Sequence, residues 1–349
     1  MSTVQTPSPP SPLADALRCL ADGIPLSADA TAAAFDVVMS GGATPAQTAA
    51  LLMGLRARGE SAEHLAGAAT SLRRAMIPLD TPRGDRLVDT CGTGGGAVAT
   101  LNVSTAAAFV VAGAGVPVAK HGNRSFTSRC GSADVLEALG VNITVLPERA
   151  AQVLDAVGLV FLYAPTYHPA MRHVGPTRKE LGVATIMNLL GPLANPAGVR
   201  RQVIGVADRV RAPLVAGALR DLGALHALVV HADIGMDEVS PHGTTSVWEV
   251  REGRIGQWTL DAATVGLAVE DLADLAAGEP AENAARIERL LGGDGGPASR
   301  AAVLLNAGAA LYVAGLGLSF ADAVSRAERA LDAGRAAAVL ERLRQATNA

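Results

Sequence analysis

From about residue 85 the chain alternates short, continuously apolar runs with helix-patterned segments, and few folds accept that rhythm. The runs are RLVDT (86–90), VPVAKHG (116–122), NITVL (142–146), LVFLYA (159–164), RQVIGV (201–206) and ALHALVVHA (224–232). Helical stretches such as TAAAFVVAGAG (105–115) and ADVLEALG (133–140) separate them. Strands that are apolar at every position are buried on both faces, as in a parallel sheet covered by crossover helices. Further on, SVWEVREGRIGQWTL (246–260) predicts a hairpin turning at Glu252-Gly253, and 268–347 is mostly helical in pattern.

The N-terminal part has a different texture. LADALRCLADG, ADATAAAFDVVMSG, TPAQTAALLMGLRARG and SAEHLAGAATSLRRAM are Ala/Leu-rich, with Gly or Ser/Thr-Pro where helices should stop and start. Ala49, Leu52, Met53 and Leu55 recur at helical spacing. A small all-helical domain over 12–84 follows, preceded by a Pro- and Ser-rich tail, 1–11, expected to be disordered. The α/β domain is expected to comprise 85–167 and 199–349. The helical interlude 168–198 is expected to pack on the N-terminal bundle. Two domains suit 349 residues at 49% hydrophobic, because single cores stop growing near ~250–300 residues.

Charge narrows the function classes. A net charge of −4 and 3% aromatics, with no basic run interleaved with aromatics, speak against a nucleic-acid surface. Cys19, Cys91 and Cys130 form neither a disulfide framework nor a C-x-x-C metal site, which fits a reducing compartment. The tail has no charged n-region and no apolar h-region, and no apolar run is long enough to span a bilayer. A cytoplasmic protein is expected.

The stretch DTCGTGGGAVATLNVST (89–105) follows the first apolar run. Gly92, Gly94 and Ala97 satisfy the dinucleotide pattern G-x-G-x-x-A, but the fingerprint then fails twice. The helix starts only near Asn102–Thr105, and no acid stands ~20 positions on to bind a ribose. From Thr90 to Ala133 there is no Asp or Glu at all, while Lys120, Arg124 and Arg129 are cationic. Backbone N–H groups freed by glycine, followed by the NVST helix start, suit a phosphate. AKHGNRSFTSRCGSAD (119–134) adds a second polar loop after the next strand, so a ligand with several phosphates would meet both.

With these residues together, the chain resembles the anthranilate phosphoribosyltransferase family of tryptophan biosynthesis. GTGG (92–95), NVST (102–105), KHGNR (120–124), GSADVLEALG (131–140), HPAMRHVGPTRKELG (168–182), NLLGPLANP (188–196), GMDEVSP (235–241) and LLNAG (304–308) stand in that family's order. The resemblance implies a small helical domain and a larger α/β domain with a mostly parallel central sheet, of the nucleoside phosphorylase/phosphoribosyltransferase type. It implies a homodimer, two Mg²⁺ ions, and transfer of the 5-phosphoribosyl group of 5-phosphoribosyl-1-diphosphate to the amine of anthranilate. For the sugar diphosphate it implies Gly92, Gly95, Gly96, Thr100, Asn102, Val103, Ser104 and Thr105 in the first loop. In the second it implies Lys120, His121, Gly122, Asn123, Arg124, Ser125, Phe126, Thr127, Ser128 and Ser132. Gly92, Asn123 and Arg178 fall on anthranilate contacts, and Ser104, Asp237 and Glu238 on magnesium ligands.

Residue chemistry agrees on two points. Asp237-Glu238 follows a strand end, and Mg²⁺ takes few carboxylates beside phosphate oxygens and water. A planar guanidinium such as that of Arg178 can grip a carboxylate with paired hydrogen bonds. No side chain is expected to act as nucleophile or acid/base, and neither His121 nor His168 is assigned as a base. Two departures stand out: the family's GTGGD reads GTGGG here, ending at Gly96, and Ala184 replaces a usual Arg. Two alternatives stay open on the residues alone: a pyrimidine nucleoside phosphorylase-like enzyme, and a non-catalytic relative that binds nucleic acid.

Overall fold

Hydroxyl caps and prolines set the helix starts of the smaller unit. A computed structural model describes residues 11–125 and 129–349. Its first helices are α1 (Pro12–Asp22), α2 (Ala28–Met39), α3 (Pro45–Arg58) and α4 (Ala62–Ala75). Ser27, Thr44 and Ser61 accept from the backbone N–H three residues on, and Thr44 and Ser61 complete reciprocal capping boxes with Gln47 and His64. α2 lies on α4 because Gly67 has no side chain: a Cβ there would stand 2.2 Å from the Ala28 carbonyl oxygen.

The chain then enters the larger unit with β1 (Val88–Gly92), α5 (Val103–Gly113), β2 (Val118–Gly122), α6 (Ser132–Ala138), α7 (Pro147–Val157), β3 (Leu159–Tyr163) and α8 (Ala164–Tyr167). It returns to the smaller unit for α9 (Gly175–Leu181), which packs on α3, and α10 (Met187–Leu190), which packs on α4. The larger unit resumes with β4 (Arg201–Gly205), α11 (Ala212–Asp221), β5 (His226–Ala232), β6 (Thr244–Arg251) and β7 (Arg254–Asp261). It ends in α12 (Pro280–Leu291), α13 (Pro297–Val313), α14 (Phe320–Asp332) and α15 (Arg335–Asn348).

Among the described residues, seven strands form one sheet in the order β3-β2-β1-β4-β5-β6-β7. The first five are parallel, and β6 and β7 add an antiparallel hairpin at one edge. Glu252 and Gly253, both at positive φ, make its turn. Every residue of β5 is buried, and so are the first four of β2 and β3, as continuously apolar strands demand. α5, with eight of its residues buried, packs against α13 and α15. The strand order reverses between β1 and β4, and open sheets bind ligands beyond the carboxyl ends at such a point.

Two domain boundaries and one strand differ from expectation. The compact units are Met1–Met76 with His168–Leu190, and Ile77–Tyr167 with Gly191–Ala349. Residues 77–84 and 191–198 thus belong with the sheet: Leu79 N donates to Pro196 O at 2.9 Å, and Asn195 and Pro192 bond to β1 and β4. NITVL is not a strand. Asn142 instead folds its side chain onto Thr144 at 3.0 Å from that residue's N–H, and its own N–H donates to the Thr347 hydroxyl, so local turn bonds win over a ladder. The expected tail, 1–11, lies outside the described residues except for Ser11, which stands at the N-cap position of α1 without a side-chain capping bond.

Candidate functional site

The carboxyl ends of β1, β4 and β5 carry the first loop and the acidic turn. Gly92 closes β1 in register with Gly205 of β4. Thr93 N donates to Gly205 O at 2.8 Å, which starts the loop over the switch point. Its far end is pinned by Leu101 N to Leu275 O at 2.8 Å and by Ala277 N to Ala99 O at 3.0 Å, and α5 begins at Val103.

Asp237 and Glu238 meet this loop directly. Gly94 N donates to Asp237 Oδ2 at 3.0 Å, and Thr100 Oγ1 donates to Glu238 Oε2 at 2.9 Å. Burial raises the Asp237 carboxyl above its ordinary range, opposed by backbone N–H donors that include Gly94. Glu238 is pushed up to about 8, by burial and then by the Asp237 charge, although Thr100, the Ser104 backbone and Lys120 favour its ionised form. Two adjacent carboxyls short of positive charge are a place where a hard divalent cation lowers the free energy. Among the described residues no three His, Cys, Asp or Glu side chains cluster to hold a metal by themselves. Two carboxylates and a hydroxyl fit Mg²⁺, which leaves room for phosphate oxygens and water.

Lys120 comes in from β2. Its Nζ donates to the Thr90 carbonyl and, at 3.2 Å, to Ser104 Oγ, while Thr90 Oγ1 donates to Ser104 O at 2.9 Å. Burial lowers the ammonium's pKa, and Asp89, Cys91 and Glu238 counter it. Lys120 and His121 are therefore buried strand residues, as the run VPVAKHG predicts, and the loop that the sequence starts at Ala119 begins only after Gly122.

β1 and β2 pair only at Val88↔Val118, and beyond that point side chains replace the ladder. Asp89 Oδ1 accepts from His121 N at 3.2 Å. Asn195 Nδ2 donates to both Asp89 Oδ2 and Ala119 O at 2.8 Å. His121 Nδ1 donates to Gly191 O at 3.1 Å, the direction a carbonyl acceptor requires. A polar seam thus holds two strands apart beside the site.

The second loop is tied by Asp134, whose Oδ2 accepts from Ser125 N at 3.1 Å and Gly131 N at 2.8 Å. Asn123 O accepts from Ser132 Oγ at 3.3 Å and Ala133 N at 3.2 Å. A Cβ on Gly122 would lie 2.2 Å from Ser132 Oγ, so the end of β2 lies directly against the start of α6. Arg124 is paired with Glu137 through both terminal nitrogens and with Asp134 at 3.0 Å. Phe126, Thr127 and Ser128 lie outside the described residues.

Other expected residues fall as follows. Asn102 does not cap α5 with its side chain; its Nδ2 donates to Cys130 O at 3.0 Å and its Oδ1 accepts from Asn283 Nδ2 at 3.1 Å. Val103 and Thr105 are buried, so Val103 offers the site only backbone. Arg178 is half-buried on α9 of the smaller unit. Ala184 is exposed between α9 and α10, and nothing in the structure explains its standing in place of Arg. Asp89, Asn195, Gly205 and Asn306 were not singled out from sequence, although Asn195 and Asn306 lie inside the NLLGPLANP and LLNAG motifs.

Gly96 faces the acidic turn. A Cβ there would stand 2.9 Å from Asp237 Oδ1 and 3.0 Å from Gly235 O. Gly96→Asp must shift Asp237 and adds a charge beside it. The variant is expected to fold, with Mg²⁺ half-saturation of activity moved to lower concentration. An Mg²⁺ profile identical to that of the unsubstituted enzyme would refute this.

The chain is similar to known proteins along nearly its whole length. The glycosyl transferase family a/b-domain model matches residues 84–337, and the helical bundle domain model matches 14–76. An anthranilate phosphoribosyltransferase of Rubrobacter xylanophilus is 49% identical over 330 residues, covering 95% of this chain and 96% of that one. The crystal structure of the enzyme of that name from Thermus thermophilus has a TM-score of 0.90 at 42% identity, covering 96% of this chain and 100% of that chain. The Saccharomyces cerevisiae enzyme, in complex with PRPP and Mg, has a TM-score of 0.87 at 28% identity, covering 96% and 98%. The chain belongs to the anthranilate phosphoribosyltransferase family, and its function is phosphoribosyl transfer to anthranilate in tryptophan biosynthesis.

Proposed function

We propose that the two loops beyond β1 and β2 hold 5-phosphoribosyl-1-diphosphate, that Asp237, Glu238 and Ser104 hold Mg²⁺ as two ions, and that Arg178 binds the anthranilate carboxylate. The observation that carries this is convergence. Gly94, Thr100, Ser104 and Lys120 are joined by hydrogen bonds to one another or to the Asp237-Glu238 turn, at the switch point of the sheet.

In the reaction the anthranilate nitrogen bonds to the anomeric carbon while the C–O bond to diphosphate breaks. The electron pair leaves on pyrophosphate, and the amine proton passes to water or to pyrophosphate. Asp237, Glu238 and Ser104 would hold the Mg²⁺, which when bound would neutralise charge on the departing diphosphate. No nucleophilic side chain is needed. The chain's contribution is alignment, for which ~7–11 kcal/mol is available in well-oriented systems, and fixed dipoles and charges at the leaving group.

Several of these donors bond carboxylates: Gly94 N bonds Asp237, Thr100 Oγ1 bonds Glu238, and Arg124 bonds Asp134 and Glu137. The yeast relative's complex with PRPP and Mg, and its complex with 4-fluoroanthranilate, support the same pairing of ligands here. A homodimer and a cytoplasmic location complete the proposal; light scattering tests the first. Among the described residues no helix is long and apolar enough to cross a membrane.

The loss of anthranilate fluorescence on adding 5-phosphoribosyl-1-diphosphate and Mg²⁺ follows the reaction directly. Arg178→Ala is expected to raise the anthranilate KM about 10- to 150-fold, the equivalent of ~1.5–3 kcal/mol for a charged hydrogen bond. The KM for the sugar diphosphate should not move. Unchanged anthranilate saturation would remove Arg178 from the site.

A further inference from the structure

We propose that Asn306 is a positioning residue for the Asp237-Glu238 turn and that it sets how tightly the enzyme holds its divalent cation. The inference rests on the assignment of those carboxylates to Mg²⁺. Asn306 lies on α13, where fourteen residues are buried and nearly all the others are apolar. A carboxamide in such surroundings is costly unless its donors and acceptor are matched. Here they are matched: Oδ1 accepts from Val239 N at 3.0 Å, and Nδ2 donates to Val239 O at 2.8 Å and Ala302 O at 2.9 Å.

The two bonds to Val239 take both backbone groups of the residue after Glu238, much as a neighbouring strand would. The acidic turn therefore has a wall on each side. Behind it stands Asn306. Beneath it lies Gly205, whose missing side chain leaves room for the Asp237 carbonyl. Thr90, Ser104, Gly205, Asp237, Glu238 and Asn306 line one small cleft, so the amide borders the same space as the assigned ligands. A metal ligand's supporting hydrogen bonds typically govern affinity by ~10–100-fold. Asn306 supports through the backbone, which fixes where both carboxylates start.

The test titrates Mn²⁺ into the full-length enzyme saturated with 5-phosphoribosyl-1-diphosphate and reads bound ion by electron paramagnetic resonance. Enzyme-free sugar diphosphate serves as the blank. Asn306→Ala should weaken Mn²⁺ binding by about 10–100-fold, with unchanged circular dichroism and unchanged anthranilate KM. Asn306→Ser keeps a donor for Ala302 O one turn back but cannot span to Val239, so its titration should shift with that of Asn306→Ala; it also covers the case in which Asn306→Ala does not fold. Curves for the folded variants that superimpose on the unsubstituted enzyme overturn the proposal. Asp237→Asn separates the two layers. If it shifts the curve while the Asn306 variants do not, only the role of Asn306 is lost. If it too leaves the curve in place, the ligand assignment falls and the inference falls with it.

Discussion

Gly205→Ala is expected to lower kcat/KM by about 100-fold or more, because displacing catalytic groups by ~1 Å can cost that much. An added Cβ would stand 1.5 Å from the Asp237 carbonyl oxygen and 2.4 Å from its carbon, well inside any allowed contact. β4 cannot yield: Gly205 is in register with Gly92 on one side and Val230 on the other, within the parallel part of the sheet. The turn must yield instead. Its movement breaks the bonds of Asp237 to Gly94 N and of Glu238 to Thr100 Oγ1, and pulls on the Val239–Asn306 pair. Overpacking of this kind also costs ~1–3 kcal/mol of stability. The fluorescence assay and a thermal melt check both effects. A folded variant with the parent's rate would show that the turn's position is immaterial to catalysis.

The same glycine shows what was legible in the sequence. The strand–helix alternation predicted the sheet, and five of its six apolar runs became parallel strands. Burial on both faces leaves a continuous apolar signature in each run. NITVL failed because Asn and Thr side chains can satisfy the backbone locally, and an apolar run of that length does not reveal it. In the site, cationic and glycine-rich loops were visible as composition. The residues that position them were not. Gly205 is one glycine among 38, and nothing local marks that a turn about thirty residues later rests on it. Asn306 sits in a helix of ordinary apolar pattern, where a single Asn reads as a tolerated oddity. Lys120 and His121 fell inside the run VPVAKHG, but nothing in that run shows that two such polar side chains are buried. Their burial depends on Asp89 and Asn195, partners distant in the chain.

Removing Asp89 is the other large effect, this time on stability. Its carboxylate is fully buried and stands where β1 should continue its ladder to β2. Burial pushes its pKa up, and the Lys120 charge and the bonds from Asn195 and His121 pull it down. Asp89→Ala leaves His121 N, one donor bond of Asn195 and the buried ammonium of Lys120 each short of a partner. Truncating one side of a buried charged network costs ~3–5 kcal/mol, mostly from what is left behind. Calorimetry should show a loss of that size. Asp89→Asn should cost less, since its oxygen still serves His121 N, though its amide then confronts that of Asn195. The Asn195→Ala single variant completes a cycle: if the seam is one network, Asp89→Ala and Asn195→Ala together cost less than their sum, by ~0.5–3 kcal/mol. Strict additivity would mean that the two side chains hold the strands independently. In that case the separation of β1 and β2 would be set by the packing of α5 and not by the seam.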